Sequence, residues 1–294
     1  MTPQPPENRD KDAGRWSDLG RPPLNANALR RALVRPGALW SSLDVVPTTG
    51  STNTDLADRA AAGDLREGAV LVAEEQSAAR GRLDRRWSAP PRSGLFVSVY
   101  LTPAVPAVRW SWLPLLAGVA TATALSRTAG VDTALKWPND VLVTVDDAER
   151  KTGGILAERA ADGVVLGIGL NVTLTADELP VPTAASLALA GAQNTDRDPL
   201  LRAVLRSLEH WYGEWQAADG DPAACRLQEA YAAGCATLGR HVRAILPGDR
   251  SVEGEAVALD ADGRLVLATA DGVQQPVDAG DIVHLRPAAG DGYA

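Results

Sequence analysis

Of the 29 basic residues in this 294-residue chain, only Lys11, Lys136 and Lys151 are lysine. Where a generic positive charge is needed the chain uses arginine, so the two lysines within its body read as places where a planar guanidinium would not serve. An ammonium is a compact point charge with three donors, whereas guanidinium is a wide fork. Lys136 opens Lys136-Trp137-Pro138-Asn139-Asp140, where Pro138 interrupts a strand ladder and should turn the chain outward with its polar side chains. Lys151 lies in Arg150-Lys151-Thr152-Gly153-Gly154, whose paired glycines let a ligand approach backbone closely. A lysine beside such a strand can neutralise both a carboxylate and a phosphate. Either motif taken alone reads equally well as an ordinary turn.

A third cluster is stronger in charge. Between Arg80 and Arg92 stand Arg80, Arg82, Arg85, Arg86 and Arg92 against Asp84, a local charge of +4 in a protein of net charge -8. Arginine forks and the backbone N–H groups around Gly81 could wrap a phosphate. A solvated charged loop is the alternative for any RGR alone. Upstream, Ser51, Thr52 and Asn53 are good helix caps, Asp55 falls in the first turn and Gly63 is a natural stop.

Composition bounds the rest. Hydrophobic residues at 45% and charged residues at 22% are those of a folded globular protein of one or two domains. Residues 1–27 have no apolar signal-peptide core and no apolar run approaches a membrane span, so a cytoplasmic protein is expected. The acidic balance argues against a general nucleic-acid binder. Cys225 and Cys235 are too few for a disulfide framework and read as small core residues.

The elements that must position these clusters follow from periodicity. Residues 1–27 read as a flexible tail, followed by a short helix ending near Pro36. Residues 69–76 and 94–101 read as strands flanking a basic loop of 17 residues, a length that is usually functional or disordered. An apolar helix is expected over 109–130, closed by Gly130. Residues 134–143, 153–159 and 163–172 then read as three strands joined by short connections, which implies antiparallel pairing in a mixed sheet. Leu201, Leu205, Leu208, Trp211 and Trp215 make a packing stripe on a helix over about 198–217. From 237 to 288 short alternating strands with Pro247-Gly248, Asp262-Gly263 and Asp271-Gly272 turns read as a small all-β barrel, and 289–294 as a tail. The expected fold is α+β: a largely antiparallel mixed sheet flanked by helices over 28–236, with a C-terminal β domain.

Taken in order, the segments GSTN (50–53), AEEQ (73–76), ARGRLDRRW (79–87), KWPNDVLV (136–143), RKTGGIL (150–156) and GIGLNV (167–172) resemble the biotin protein ligase family over about residues 40–287. The closing GDIVHLR looks like the end of that family's SH3-like barrel. Nothing before residue 45 has the period of a helix-turn-helix, so the resemblance is to the monofunctional ligases. It implies that biotin and MgATP give biotinyl-5'-adenylate and pyrophosphate, after which a lysine of a biotin carboxyl carrier domain attacks the adenylate. Ser51, Thr52, Asn53 and Gln76 then match the positions that meet biotin's ureido group. Arg80, Gly81 and Arg82 match those that hold the adenylate and phosphates, and Lys151 the lysine near the biotin carboxylate and the α-phosphate. Trp87, Lys136, Asn139 and Asn171 match the nucleotide edge of the site. Lys151 and Arg82 are the expected catalytic residues. Mg2+ enters with ATP, with no protein metal site.

Two positions depart from the family pattern GRGRxGR: Ala79 and Asp84 replace its first and last glycines. Asp84 could pre-order the loop through an ion pair, and residues 77–87 are expected to fold over the adenylate. A lipoate or octanoate ligase is the nearest rival, disfavoured by the polar Ser51–Thr52–Asn53–Gln76 set. A nucleic-acid-binding module is the rival from another class. The motifs are equally compatible with a monomer and a homodimer.

Overall fold

The computed structural model describes residues 20–82, 87–246, 250–278 and 281–284. Asp84, Arg85 and Arg86 lie outside the described residues, as does most of the expected tail. The part of that tail from Gly20 onward is docked. Leu24 is buried, and its N–H donates to Glu74 Oε1 at 2.7 Å. Arg197 Nη2 donates to the Pro22 carbonyl at 2.6 Å, while its Nη1 pairs with Glu74 Oε2 at 2.6 Å. Helix α1 (Ala26–Leu33) starts at the Asn25 cap and buries Leu29 and Leu33, two residues sooner than the sequence suggested. The tail reading fails over 20–27 because its contacts are to groups distant in sequence.

Strand β1 (Ser42–Val46), helix α2 (Thr52–Ala61) and strand β2 (Ala69–Ala73) form a parallel βαβ unit. β1 was missing from the sequence reading, since only Leu43 of its five residues is buried. β3 (Gly94–Leu101) pairs antiparallel with β2 and is buried on both faces. The expected helix over 109–130 is a 3-10 turn (Ala107–Trp112) followed by α3 (Leu113–Ala129), with Pro114 tolerated in the first turn and Gly130 in the left-handed region at the C-cap.

The single strand expected over 134–143 is two strands, β4 (Thr133–Lys136) and β5 (Asp140–Val145), paired with each other across the Trp137–Asn139 turn. Pro138 therefore ends one strand instead of interrupting it. β6 (Ala148–Ala160) and β7 (Gly163–Asn171) continue the antiparallel run, and β7 returns to pair with β3. The sheet order is β1-β2-β3-β7-β6-β5-β4. The parallel β1–β2 pair makes it mixed, as expected.

Alternation assigns the two faces. Leu95, Val97, Val99 and Leu101 of β3 join the main core with α3 and with α4 (Arg197–Ala217), whose Leu201, Leu205, Leu208 and Trp215 are buried; Trp211 is half-buried. Tyr100, on the opposite face, packs with Leu56 and Ala60 of α2. One face is therefore covered by α3 and α4, with α1 against β1. The other is covered at one end by α2, and the remainder is left open above β6 and β7.

Helix α5 (Leu227–Gly234), also absent from the sequence reading, precedes the C-terminal unit. Cys235 beside it is buried and Cys225 half-buried. The C-terminal unit is a five-stranded antiparallel sheet: β8 (His241–Leu246), β9 (Arg250–Leu259), β10 (Leu265–Ala268), β11 (Gln274–Val277) and β12 (Asp281–His284), in the order β11-β10-β9-β8-β12. β11 carries Pro276, which a strand tolerates at an edge. The unit is pinned to the larger sheet through tryptophans. Trp112 Nε1 donates to the Ala261 carbonyl at 2.8 Å and Trp137 Nε1 to the Gly263 carbonyl at 2.9 Å. Gly263 has φ +76°, and a Cβ there would meet Leu115 Cδ1 at 2.8 Å. The Asp262–Gly263 turn fits against the helix because it has no side chain at that point. Among the described residues no helix is long and apolar enough to cross a membrane.

Candidate active site

The open end of the sheet forms a cavity of about 740 Å³, and all twelve residues singled out from the sequence line it: Ser51, Thr52, Asn53, Gln76, Arg80, Gly81, Arg82, Trp87, Lys136, Asn139, Lys151 and Asn171. Its floor is β6 and β7. Gly154 pairs with Gly169 and Leu156 with Gly167, so three of these four facing positions have no side chain. That absence leaves room above the sheet. A Cβ on Gly167 would fall 2.2 Å from Asn53 Oδ1, and one on Gly169 3.4 Å from Trp87 Cε2.

Strict alternation would aim Lys151 away from this floor, because it is an odd number of residues from Gly154. The ladder between β5 and β6 slips by one residue here: Val141 faces Gly153, while Leu142 faces Lys151. Thr152 is the extra residue of a β-bulge, and it is fully buried with its Oγ1 donating to the Asn171 carbonyl at 3.2 Å. The bulge resets the alternation and turns Lys151 into the cavity. There its Nζ lies 2.6 Å from Asp140 Oδ1 and 5.6 Å from the centre of the Trp87 ring.

Helix α2 builds one wall with its first turn. Ser51 caps it, with Oγ accepting from the Thr54 N–H at 3.4 Å. Gln76 Oε1 accepts from Thr52 N–H at 2.8 Å and lies 3.1 Å from Thr52 Oγ1. Thr52 Oγ1 is 2.7 Å from Ser98 Oγ, which donates to Asn53 Oδ1 at 2.6 Å. This wall is polar but close to fully hydrogen-bonded, which makes it rigid.

The basic loop supplies the opposite rim. Trp87 N–H donates to the Ala79 carbonyl at 3.0 Å and closes the loop's base, where Ala79 is buried. Trp87 Nε1 is buried with no hydrogen-bond partner among the described residues, a donor beside the cavity. Arg82 Nη1 donates to Asn139 Oδ1 at 3.3 Å, and Asn139 Nδ2 to the Ile155 carbonyl at 2.8 Å. Asn171 Nδ2 donates to the Ala185 carbonyl at 2.9 Å. The C-terminal sheet contributes Ile245, Ile282 and Val283 to the lining.

Among the polar residues at or beside the site that were not singled out from the sequence are Asp140, Ser98 and Glu158. Asp140 was part of a quoted motif without a role. Ser98 is a lone hydroxyl in an apolar strand, a pattern that could have flagged it. Glu158 accepts from Asn53 Nδ2 at 2.8 Å and from Arg80 Nη2 at 3.1 Å, and nothing local marks it.

Comparison with known proteins agrees with this architecture. Residues 45–174 match the Biotin/lipoate A/B protein ligase family and residues 237–285 the biotin protein ligase C-terminal domain. The biotin--[acetyl-CoA-carboxylase] ligase of Mycobacterium tuberculosis is 43% identical over 273 residues, covering 92% of this chain and 98% of that protein. This chain belongs to the biotin protein ligase family. The ligase also resembles a solved biotin protein ligase from Aquifex aeolicus in complex with biotin and ATP, with TM-score 0.70 and 26% identity over 84% of this chain and 100% of that one. A Leishmania major biotin protein ligase in complex with biotinyl-5-AMP matches with TM-score 0.56 and 25% identity over 81% and 99% of the two chains.

Proposed function

We propose that this ligase joins biotin to ATP as biotinyl-5'-adenylate and then passes biotin to a lysine of the biotin carboxyl carrier protein of acetyl-CoA carboxylase, in the cytoplasm. The observation that carries this reading is the convergence of a polar wall, a basic rim and Lys151 on one cavity large enough for both substrates.

In the first step a biotin carboxylate oxygen attacks the α-phosphorus, and the α–β phosphoanhydride bond breaks to release pyrophosphate. Lys151, Arg80 and Arg82 carry the fixed positive charge that meets the charge on the reacting carboxylate and phosphates. Two anions would otherwise repel at close range. Ser51, Thr52 and Gln76 provide the ureido wall, with Asn53 behind them. Trp87, Lys136, Asn139 and Asn171 take the nucleotide edge, where Trp87 Nε1, without a partner among the described residues, offers a donor. Mg2+ enters as the ATP complex.

In the second step the carrier lysine, as free amine, attacks the acyl carbon, the acyl–phosphate C–O bond breaks and AMP leaves. No side-chain nucleophile is needed. Holding two substrates in attack geometry is worth about 7–11 kcal/mol. The polar wall favours biotin over lipoate, whose dithiolane ring has no N–H or carbonyl to match it.

The test is mass spectrometry of a carrier domain incubated with this protein, biotin and MgATP. One biotin adduct that needs ATP is expected; transfer of lipoate instead, or no adduct and no pyrophosphate, would overturn the reading.

A further inference from the structure

A carboxylate, Glu158, joins the wall of the cavity to the basic loop. Starting from Thr52 Oγ1, contacts of 2.7, 2.6 and 2.8 Å run through Ser98 and Asn53 to Glu158 Oε2. Glu158 Oε1 accepts from Arg80 Nη2 at 3.1 Å, and the same nitrogen donates to Thr54 Oγ1 at 3.3 Å. Glu158 follows Gly154 and Leu156 on the same face of β6, just beyond the cavity floor.

An acid next to a site for a carboxylate and a triphosphate is unfavourable unless its charge is already taken up. Here both oxygens are engaged, one by the wall and one by the loop. Arg80, by contrast, is a long side chain on a loop and is 46% exposed. Ordering such a side chain costs rotamer entropy at the moment of binding, unless a rigid element holds it beforehand. β6 is a central strand paired on both sides. The Asn53 side chain is similarly committed: Nδ2 donates to Glu158 and, at 3.3 Å, to the Leu156 carbonyl, while Oδ1 accepts from Ser98.

We propose that Glu158 is a positioning residue for the ligase reaction, holding Arg80 over the first turn of α2, and that Asn53 serves as its link to the wall instead of touching biotin. This rests on the ligase reading above. Glu158 touches neither substrate; it acts through Arg80.

The experiment is a double-mutant cycle with Glu158→Ala and Arg80→Ala, with Glu158→Gln as a variant that keeps the side chain's shape. Biotin KM and kcat are read from pyrophosphate release, and the rate of trypsin cleavage after Arg80 from peptide mapping. Glu158→Ala is expected to raise biotin KM about tenfold, the order of a lost charge-assisted hydrogen bond, with kcat within about threefold and faster cleavage after Arg80. Glu158→Gln should fall between Glu158→Ala and the wild type. In the Arg80→Ala background Glu158→Ala should add less than about twofold. An unchanged KM, or a penalty that persists in full without Arg80, overturns the proposal while leaving the ligase reading intact. A wild-type protein that releases no pyrophosphate overturns the ligase reading itself, and this proposal with it.

Discussion

Lys151 and Asp140 are joined Nζ to Oδ1 at 2.6 Å across a β-bulge, in a chain that has only three lysines. The ammonium is thereby fixed against the cavity floor beside Trp87 before any substrate arrives. Lys151→Ala should reduce adenylate formation by about 10²–10³-fold, the order seen when one preorganised donor is removed from a developing charge. Lys151→Arg should rescue little, because a wide planar fork does not reproduce the compact ammonium that Asp140 Oδ1 holds at 2.6 Å. Single-turnover pyrophosphate release measures both, and wild-type rates in Lys151→Ala would remove this residue from the mechanism.

Arg82 bridges the loop to Asn139. On the proposed reading Arg82→Gly removes a phosphate donor as well as that tether, so the activated adenylate should escape and acylate bystander lysines. Streptavidin blots of an added unrelated protein should darken relative to wild type. Adenylate retained as firmly as in the wild type would contradict the role.

Gly167 leaves no spare room beneath the wall. Gly167→Ala would press a methyl into Asn53 Oδ1, built at 2.2 Å, on a helix turn that Gln76 and Ser98 already hold. A biotin KM raised about tenfold or more is expected, with far-UV circular dichroism unchanged; an unaffected KM would show the wall to be softer than its hydrogen bonding implies.

Glu74 and Arg197 form an ion pair in which both side chains are less than 10% exposed. Arg197→Met leaves Glu74 buried and uncompensated, a change that costs about 3–5 kcal/mol. Chemical denaturation should report a loss of that size. A loss below about 1 kcal/mol would mean the N-terminal segment lifts off and lets water reach the carboxylate.

Glu178 gives the pH dependence. Hydrogen bonds from Arg21 hold its carboxyl below the usual glutamate range, and a Thr175 backbone N–H adds to the effect. A depressed carboxyl stabilises the fold above the unfolded value of about 4.3, and that contribution fades as pH falls through the lower folded value. Acid should therefore loosen the segment around Arg21 first. Hydrogen exchange at residues 20–25 between pH 6 and pH 3 checks this, with Glu178→Gln expected to flatten the response.

What this sequence determined by itself was its chemistry. Residue type is enough to say that Lys151, Arg80 and Arg82 suit anions, whereas the assignment of Ser51, Thr52, Asn53 and Gln76 to a ureido group came only with the family resemblance. Motif order was enough to suggest the family, and short connections were enough to suggest the antiparallel run through β5, β6 and β7, though not the split that makes β4 a strand of its own. The docking of Gly20–Asn25 and the roles of Glu158 and Ser98 were not legible. Each depends on partners more than 40 residues away, and no local period encodes those. The aim of Lys151 was not legible either. Counted by alternation, residue 151 belongs on the opposite face from Gly154; only the bulge at Thr152, held by the Asn171 carbonyl, puts the charge in the cavity. Register is a property of two strands together, so one strand's sequence cannot state it.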